Sequence, residues 1–369
     1  MKKLFSILSL IAVALFSFTS CDEENDSIYN YVVNEGNWYE APSVAPDFYI
    51  LNCGNWGGND ASVQYCNFNA GMVTSPLYDK GIFAQQNANA ILGDLAQDML
   101  WVKDKLFVTI SGSQKIEILN EKGKRLRAPI KFEAEGASPR MLATDGENVY
   151  VTNYDGNVYV YNAETTEFVK TISVGTRPEG ICYCDGYLVV NNSGDLYAYN
   201  GTVSVIKLET GESRSINLTN PYTASVVCNG AVYIIDSGNY YDILSNIYRI
   251  SLEDATAQPL NICASAIATY ENTLYYVNNS WSNEAGAFVS SPLYALDVVT
   301  NSTQEVLAEY EMENVNSLSV NPENGDIFVG YNATESGVLG TMHIYNMGGK
   351  LKSVFDVGYY TCGARFENR

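Results

Sequence analysis

The chain has 369 residues, of which 46% are hydrophobic, and it carries 42 acidic against 21 basic side chains, for a net charge of −21. This apolar content excludes wholesale disorder, and the acidic excess argues against a nucleic-acid groove or a basic membrane-binding face. A single histidine excludes metal sites with two histidine ligands and most schemes with a histidine general base. The length allows two domains or one large all-β domain.

The N-terminal residues have the pattern of a bacterial lipoprotein signal. Lys2 and Lys3 precede an apolar run over 4–18 that is too short to span a membrane. The tetrapeptide FTSC at 18–21 resembles a lipobox, in which the cysteine is acylated and becomes the mature N-terminus. We therefore predict a lipoprotein signal peptide over 1–20 and lipidation of Cys21. An ordinary signal peptide with a chance cysteine is the alternative.

An acidic segment with two prolines follows the cysteine. Asp22, Glu23 and Glu24 resemble the surface-export signal of Bacteroidetes lipoproteins, whereas enterobacterial sorting uses an aspartate at this place for inner-membrane retention. We predict that residues 21–46 are an acylated, acidic tether. The expected location is the outer membrane, lipid-anchored and facing the cell exterior, because multiple acyl chains give stable anchoring.

The remaining chain repeats one pattern of short apolar strands separated by polar turns. Copies at 139–174 and 178–200 are the clearest, and Asp-Gly or Asn-Gly pairs mark many of the turns. Equivalent apolar positions recur 38 to 53 residues apart, at Phe107, Tyr150, Leu188, Tyr233, Tyr275 and Phe328. Alternation of period two within each copy indicates strands, and this repeat length is typical of a four-stranded propeller blade.

The two ends of the chain supply one further blade. Residues 46–68 lack a leading strand, and TCGARFEN at 361–368 has the pattern of that strand alone. Pairing of the N- and C-terminal strands would close the ring and remove exposed edges. We predict an all-β, seven-bladed β-propeller over 47–369. An open pair of β-sandwich sheets is the alternative, but that fold does not require so regular a sequence repeat.

Two strings resemble a known family. YVTN at 150–153 is similar to the name-giving repeat of YVTN, or YncE-like, propellers, and the resemblance covers 46–366. LNCGNWGGNDASVQY at 51–65 and LGDLAQDM at 92–99 resemble the Bacteroidetes surface-lipoprotein branch, which includes BtuG-type cobalamin-binding proteins. The resemblance implies capture of cobalamin or a related corrinoid and its delivery to a TonB-dependent outer-membrane transporter.

The repeats also place a set of residues at one face of the ring, where functional loops of propellers gather. These residues are amides, aromatics, two arginines and one carboxylate. As ligand-binding candidates we select Asn55, Trp56, Asn59, Asp94, Gln97, Arg140, Asn153, Tyr154, Arg177, Asn192, Tyr222, Tyr240, Tyr241, Asn279, Trp281, Tyr331, Asn332 and Tyr360.

Amides and aromatic rings suit a flat corrin that is fringed by primary amides, and they suit oligosaccharides as well. A glycan-binding or other nutrient-binding propeller is therefore the second hypothesis. At several of these positions a structural role is the alternative to ligand binding. Asn153 and Asn192 end equivalent strands and can satisfy loop backbone, Trp56 and Trp281 can pack between loops, and Arg140 and Arg177 can pair with acids such as Glu179.

Catalytic and metal-binding motifs are not evident. Eight cysteines become seven after lipidation. Cys184 and Cys228 occupy equivalent blade positions and could approach each other, but buried free thiols are the favoured interpretation. His343 lies in a predicted strand and is expected to be structural. We predict no enzyme, no cofactor beyond cobalamin as ligand, no metal and no nucleic-acid partner. A propeller hydrolase or lyase is the third hypothesis.

Overall fold

The computed structural model describes residues 48–69, 72–74, 81–222, 225–239, 241–282, 287–308, 312–333 and 337–366. These residues form seven four-stranded antiparallel sheets, each of them one blade. The predicted signal peptide, the tether and Cys21 lie outside the described residues.

Strands of the first four blades follow in chain order. The first blade contains β1 (Phe48–Asn52), β2 (Ser62–Asn69) and β3 (Met72–Thr74). The second contains β4 (Ala96–Val102), β5 (Lys105–Ile110), β6 (Lys115–Leu119) and β7 (Ile130–Lys131). The third contains β8 (Pro139–Thr144), β9 (Asn148–Asn153), β10 (Asn157–Asn162) and β11 (Phe168–Ser173). The fourth contains β12 (Pro178–Cys184), β13 (Tyr187–Asn192), β14 (Thr202–Lys207) and β15 (Ser213–Asn217).

The last three blades complete the ring. The fifth contains β16 (Val226–Cys228), β17 (Ala231–Asp236), β18 (Asn246–Ser251) and β19 (Thr256–Pro259). The sixth contains β20 (Ala266–Tyr270), β21 (Thr273–Val277), β24 (Leu293–Asp297) and β25 (Ser302–Leu307), with a separate hairpin of β22 (Asn279–Ser282) and β23 (Ala287–Ser290). The seventh contains β26 (Val315–Val320), β27 (Ile327–Tyr331), β28 (Gly340–Tyr345) and β29 (Leu351–Val357).

The final strand, β30 (Thr361–Phe366), pairs with β1 and becomes the innermost strand of the first blade. The prediction that the two ends of the chain close the ring is therefore confirmed, as is the count of seven blades. The six equivalent positions between Phe107 and Phe328 all lie in the second strands of their blades and are buried. Five of them pack against the following blade, whereas Leu188 packs against the preceding one. The equivalent residue of the fourth blade is therefore its neighbour Val189.

Tight hairpins connect the first and second strands. Asp185 and Gly186 have φ values of 47° and 81°, and Asn229 and Gly230 have φ values of 47° and 69°. Positive φ at both central positions is the backbone of a two-residue hairpin whose twist matches the strands. The Asp-Gly and Asn-Gly pairs of the sequence supply residues that adopt this conformation at low cost.

The core is divided into seven apolar clusters, one in each of the seven contacts between neighbouring blades. The cluster between the seventh and first blades contains Phe48, Phe328 and Phe355, and the Phe48 and Phe328 rings meet edge to face at 5.0 Å. Both faces of each blade are therefore covered by neighbours, which accounts for strands such as β1 and β17 whose residues are all buried.

Two short insertions depart from the repeat. A six-residue helix, α1 (Gly81–Gln86), lies between the first and second blades and contributes Ile82 and Phe83 to the cluster between them. The hairpin β22–β23 extends the connection between β21 and β24. Within the described ranges, no helix has the length and apolar character needed to cross a membrane.

Candidate functional site

One face of the ring collects the sequence-predicted residues. We call it the upper face, and it is made by the connections that enter each innermost strand and by those that join the second and third strands. All the described candidate residues lie in these connections or at the strand ends beside them. Tyr240 lies outside the described residues. Trp281 lies in β22, opposite Phe288 of β23.

The most tightly organised part of this face surrounds Tyr154. The guanidinium carbons of Arg140 and Arg177 each lie 4.6 Å from the Tyr154 ring centroid. Arg140 Nε donates to Glu179 Oε2 at 2.7 Å, and the Tyr154 hydroxyl donates to Glu179 Oε1. The predicted pairing of an upper-face arginine with Glu179 is therefore present for Arg140.

Burial makes this network depend on its own partners, and it raises the pKa of Glu179 above its usual value. Glu179 is 3% exposed, so its carboxylate is stabilised by the guanidinium and the phenol rather than by water. Burial, with the charge of Glu179 next in importance, raises the pKa of Tyr154 to about 12. Tyr154 consequently keeps its proton at neutral pH and remains a donor to the carboxylate.

A cavity of about 420 Å³ opens beside this network, and we call it the Tyr154 pocket. Tyr197, Tyr199 and Tyr222 add aromatic surface to its wall, and Tyr197 is 81% exposed. Tyr197 and Tyr199 have φ values of 64° and 51°, a region that bulky residues rarely adopt. Such strain often marks positions that a functional site imposes on the backbone.

Sequence reasoning did not select Leu196, Tyr197 or Tyr199. Their segment is a turn between β13 and β14, in which the Asp195 amide donates to Asn200 Oδ1 at 2.9 Å. The alternation of apolar and small residues over 196–199 resembles a strand, and this hides the turn. The signal that could have found them is the SGD tripeptide at 193–195, because such residues favour turns.

A second cavity of about 860 Å³ follows the axis of the ring and is lined by residues of all seven innermost strands. Trp56, Gln97 and Tyr360 line it from the upper face, and Trp56 is 88% exposed. Arg365 Nη2 contacts Asp98 Oδ1 at 2.6 Å within its wall. This volume falls within the range of small-molecule sites, and its upper rim is aromatic.

Bulges set the direction of several of these side chains. At the upper ends of β4, β8, β12, β26 and β30, the pairing register with the next strand shifts. The residues at these shifts are Gln97, Arg140 with Met141, Glu179 with Gly180, Asn316 and Cys362. A bulge bends the strand and re-aims its side chains, so the ring presents polar groups at its rim instead of continuing the apolar alternation.

Two of the predicted amides serve the backbone. Asn153 and Asn192 end equivalent second strands and are completely buried. Asn153 Oδ1 accepts from the Ser138 amide at 2.6 Å, and Asn192 Oδ1 accepts from the Gly175 amide at 3.1 Å. Asp236 holds the Thr219 and Asn220 amides in the same way. These side chains fix the loops that carry the face, and they lie below its surface.

The other predicted residues are spread around the ring. Asn55 bonds to Asp60 within its own turn, and Asn59 is exposed with a φ of 53°. Asn332 Nδ2 donates to Asn316, and Asn279 Nδ2 donates to the Val315 carbonyl. Further candidates are the partly buried Asp94, the 75% exposed Tyr241, and Tyr331, whose ring packs against His343 at 4.5 Å.

Metal ligands do not gather on the described part of the chain, where no group of three or more His, Cys, Asp or Glu side chains is placed to hold an ion. Within the Tyr154 pocket the acidic side chains are Glu179 and Asp195. Glu179 is bound by Arg140 and Tyr154, and Asp195 Oδ2 accepts from Asn200 at 3.1 Å. The pocket is thus equipped for stacking and hydrogen bonding.

Comparison with known proteins identifies the fold alone. No family model and no curated protein matches the sequence. The hydrazine synthase structure of Kuenenia stuttgartiensis is similar over 68% of this chain and 76% of its own, with 15% identity and a TM-score of 0.53. The Pan2 WD40 domain of Neurospora crassa is similar over 71% and 79%, with 9% identity and a TM-score of 0.53. U3-55K is similar over 72% and 83%, with 8% identity and a TM-score of 0.52. With seven blades in a closed ring, the chain is a seven-bladed β-propeller.

Proposed function

We propose that this protein is a binding protein without catalytic activity, which captures cobalamin or a related corrinoid on its upper face. The observation that carries the proposal is the placement of exposed aromatic rings. Among the described residues, five of the six strongly exposed aromatic side chains belong to upper-face connections. They are Trp56, Tyr197, Tyr222, Tyr241 and Tyr360.

Exposed aromatic rings are costly in water and favour contact with a flat, partly apolar ligand. The corrin ring offers such a surface, and its peripheral amides can exchange hydrogen bonds with tyrosine hydroxyls and side-chain amides. A rigid ligand loses little conformational entropy on binding, and a propeller with braced loops loses little as well. Asn153, Asn192 and Asp236 supply that bracing.

The Tyr154 pocket adds a charged element to this platform. Cobalamin carries a nucleotide loop with a phosphodiester, and guanidinium groups are well suited to phosphate oxygens. Glu179 pairs with Arg140 and balances its charge, while Arg177 and the exposed Asp195 bring one charge of each sign to the pocket wall. Arg177 is the guanidinium that would contact the phosphodiester. We therefore assign the nucleotide loop to the Tyr154 pocket and the corrin to the rim formed by Trp56 and Tyr360.

The proposal extends to cellular placement. The lipobox at 18–21 and the acidic residues after Cys21 support a lipid-anchored protein on the outer face of the outer membrane. From there the bound corrinoid would be handed to a TonB-dependent outer-membrane transporter. Binding and handover require no bond to be made or broken, which agrees with the engagement of Glu179 in an ion pair.

Calorimetric titration of the full chain tests the proposal. We expect cyanocobalamin to bind with a submicromolar dissociation constant, and cobinamide, which lacks the nucleotide loop, to bind at least tenfold more weakly. Arg177→Met should weaken cyanocobalamin binding and leave cobinamide binding unchanged. Absence of heat with micromolar cyanocobalamin would exclude the corrinoid. Heat with oligosaccharides instead would support the second hypothesis, a glycan-binding propeller that uses the same aromatic platform.

A further inference from the structure

Cys53 and Cys362 meet at the seam where the ring closes. Cys53 directly follows β1, and its amide donates to the Tyr360 carbonyl at 3.0 Å. Cys362 is the extra residue of the β30 bulge, because Leu51 pairs with Gly363 while Asn52 pairs with Thr361. The bulge places the Cys362 thiol beside Cys53, since Cys362 Sγ lies 3.8 Å from the same Tyr360 carbonyl oxygen.

The pair is accessible from the axial cavity. Both residues line its wall and keep part of their surface exposed, and Cys362 is the more deeply buried of the two. Gln97 Nε2 lies 3.9 Å from Cys53 Sγ, and Cys362 Sγ lies 3.5 Å from the Ala96 carbonyl oxygen. A small reagent that enters the cavity from the upper face can therefore reach the part of the wall that these two residues form.

Other described cysteines have different surroundings. Cys184 Sγ donates to the Gly230 carbonyl at 3.6 Å, and Cys228 Sγ donates to the Glu271 carbonyl at 3.5 Å. These two occupy equivalent blade positions, yet each is satisfied by the backbone of the next blade. Both are buried, as are Cys66 and Cys182, and burial makes such thiols inert.

The two thiols of the seam are chemically unequal. The neighbouring Cys362 thiol lowers the pKa of the Cys53 thiol below its usual value. The same contact, together with burial, raises the pKa of Cys362 well above its usual value. Cys53 is thus the more readily deprotonated of the two and would attack first, with Cys362 as the resolving thiol.

We propose that Cys53 and Cys362 are a modification site that forms a disulfide, by exchange with a small-molecule disulfide such as oxidised glutathione. The Cys53 thiolate attacks one glutathione sulfur and expels the other glutathione as a thiolate. Cys362 then loses its proton, and its sulfur attacks Cys53 Sγ and expels the second glutathione. The two protein thiols are oxidised by two electrons, and one glutathione disulfide is reduced to two thiols.

This bond would reinforce the junction that closes the ring. β30 is joined to β1 by backbone hydrogen bonds, whereas a disulfide would link the first and last described strands covalently. The loop that it closes contains almost the whole propeller, so the link strongly restricts the unfolded chain. It would also fix the rim beside Trp56 and Tyr360. The inference does not depend on the ligand assigned above.

Peptide mapping of the full chain tests the inference directly. The protein is purified with dithiothreitol, freed of it, incubated with oxidised glutathione at pH 8, and trapped with iodoacetamide at intervals. We expect a Cys53–Cys362 crosslinked peptide to appear before any other link, and the thermal midpoint to rise by roughly 5 °C or more. Dithiothreitol should reverse both changes. Recovery of both cysteines alkylated, or carrying only glutathione, would overturn the inference.

Matched serine variants separate this pair from the other thiols. Cys53→Ser and Cys362→Ser should abolish the oxidation-dependent rise in midpoint, whereas Cys228→Ser should retain it. A rise that persists in Cys53→Ser would overturn the assignment. If either seam variant fails to fold, the crosslinked peptide of the unmodified sequence still decides the question.

Discussion

The Arg140–Glu179 pair should be the most sensitive electrostatic contact of the upper face. Its donor and acceptor lie 2.7 Å apart, and the two side chains are 18% and 5% exposed. Glu179→Gln keeps the shape but leaves the buried guanidinium of Arg140 without a counter-charge. Removing one partner of a buried pair typically costs 3–5 kcal/mol. Because glutamine retains some hydrogen bonding, we expect a loss of about 3 kcal/mol in the free energy of unfolding.

Chemical denaturation measures this loss, and a second ion pair provides the control. Arg214 and Glu212 lie 3.1 Å apart with side chains 41% and 57% exposed, so Glu212→Gln should cost less than about 1 kcal/mol. The double variant Arg140→Met/Glu179→Gln should lose less than the sum of its single changes, since no buried charge is left unpaired. Equal losses for Glu179→Gln and Glu212→Gln would refute the reasoning.

Three further predictions concern the rim, the braces and the lone histidine. Trp56→Ala should weaken cyanocobalamin binding at least tenfold by calorimetry without changing the thermal midpoint. Phe168 provides the control, because it is also an exposed aromatic residue (56%) but lies on the outer strand β11, so Phe168→Ala should leave binding unchanged. Asn192→Ala should lower the free energy of unfolding by about 2 kcal/mol in urea, since the Gly175 amide loses its acceptor. Burial lowers the pKa of His343 from 6.5 to about 4. As the pH falls, the unfolded chain therefore binds a proton at this histidine before the folded chain does. The free energy of unfolding should fall between pH 6.5 and 4 by about 2 kcal/mol more than that of His343→Gln. The same pH dependence of urea unfolding in both proteins, or an NMR titration midpoint near 6.5 for His343, would contradict this.

The architecture could be predicted because its signals are local. Alternation within each strand and turn dipeptides such as Asp185-Gly186 and Asn229-Gly230 specify the hairpins, and their repeat specifies the blades. Closure of the ring could be predicted from the incomplete repeat at 46–68, because it lacks one strand and the C-terminal residues supply it. These features need no knowledge of distant contacts.

The site was only partly predictable, because its details depend on contacts between distant residues. Alternation cannot show that Asn153 and Asn192 turn beneath the surface while Tyr154, next in the chain, reaches the pocket. Bulges shift a strand by one residue without a distinctive sequence. The meeting of Cys53 and Cys362, far apart in the chain, depends on such a bulge at the closing seam.

Hydrogen–deuterium exchange of the full chain, with and without saturating cyanocobalamin, tests the central claim most directly. If the upper face captures the corrinoid, exchange should slow in the connections at 54–60, 194–200 and 220–222. The opposite-face hairpins at 185–186 and 229–230 should remain unchanged and serve as internal controls. Unaltered exchange throughout, or protection confined to the opposite face, would contradict the account.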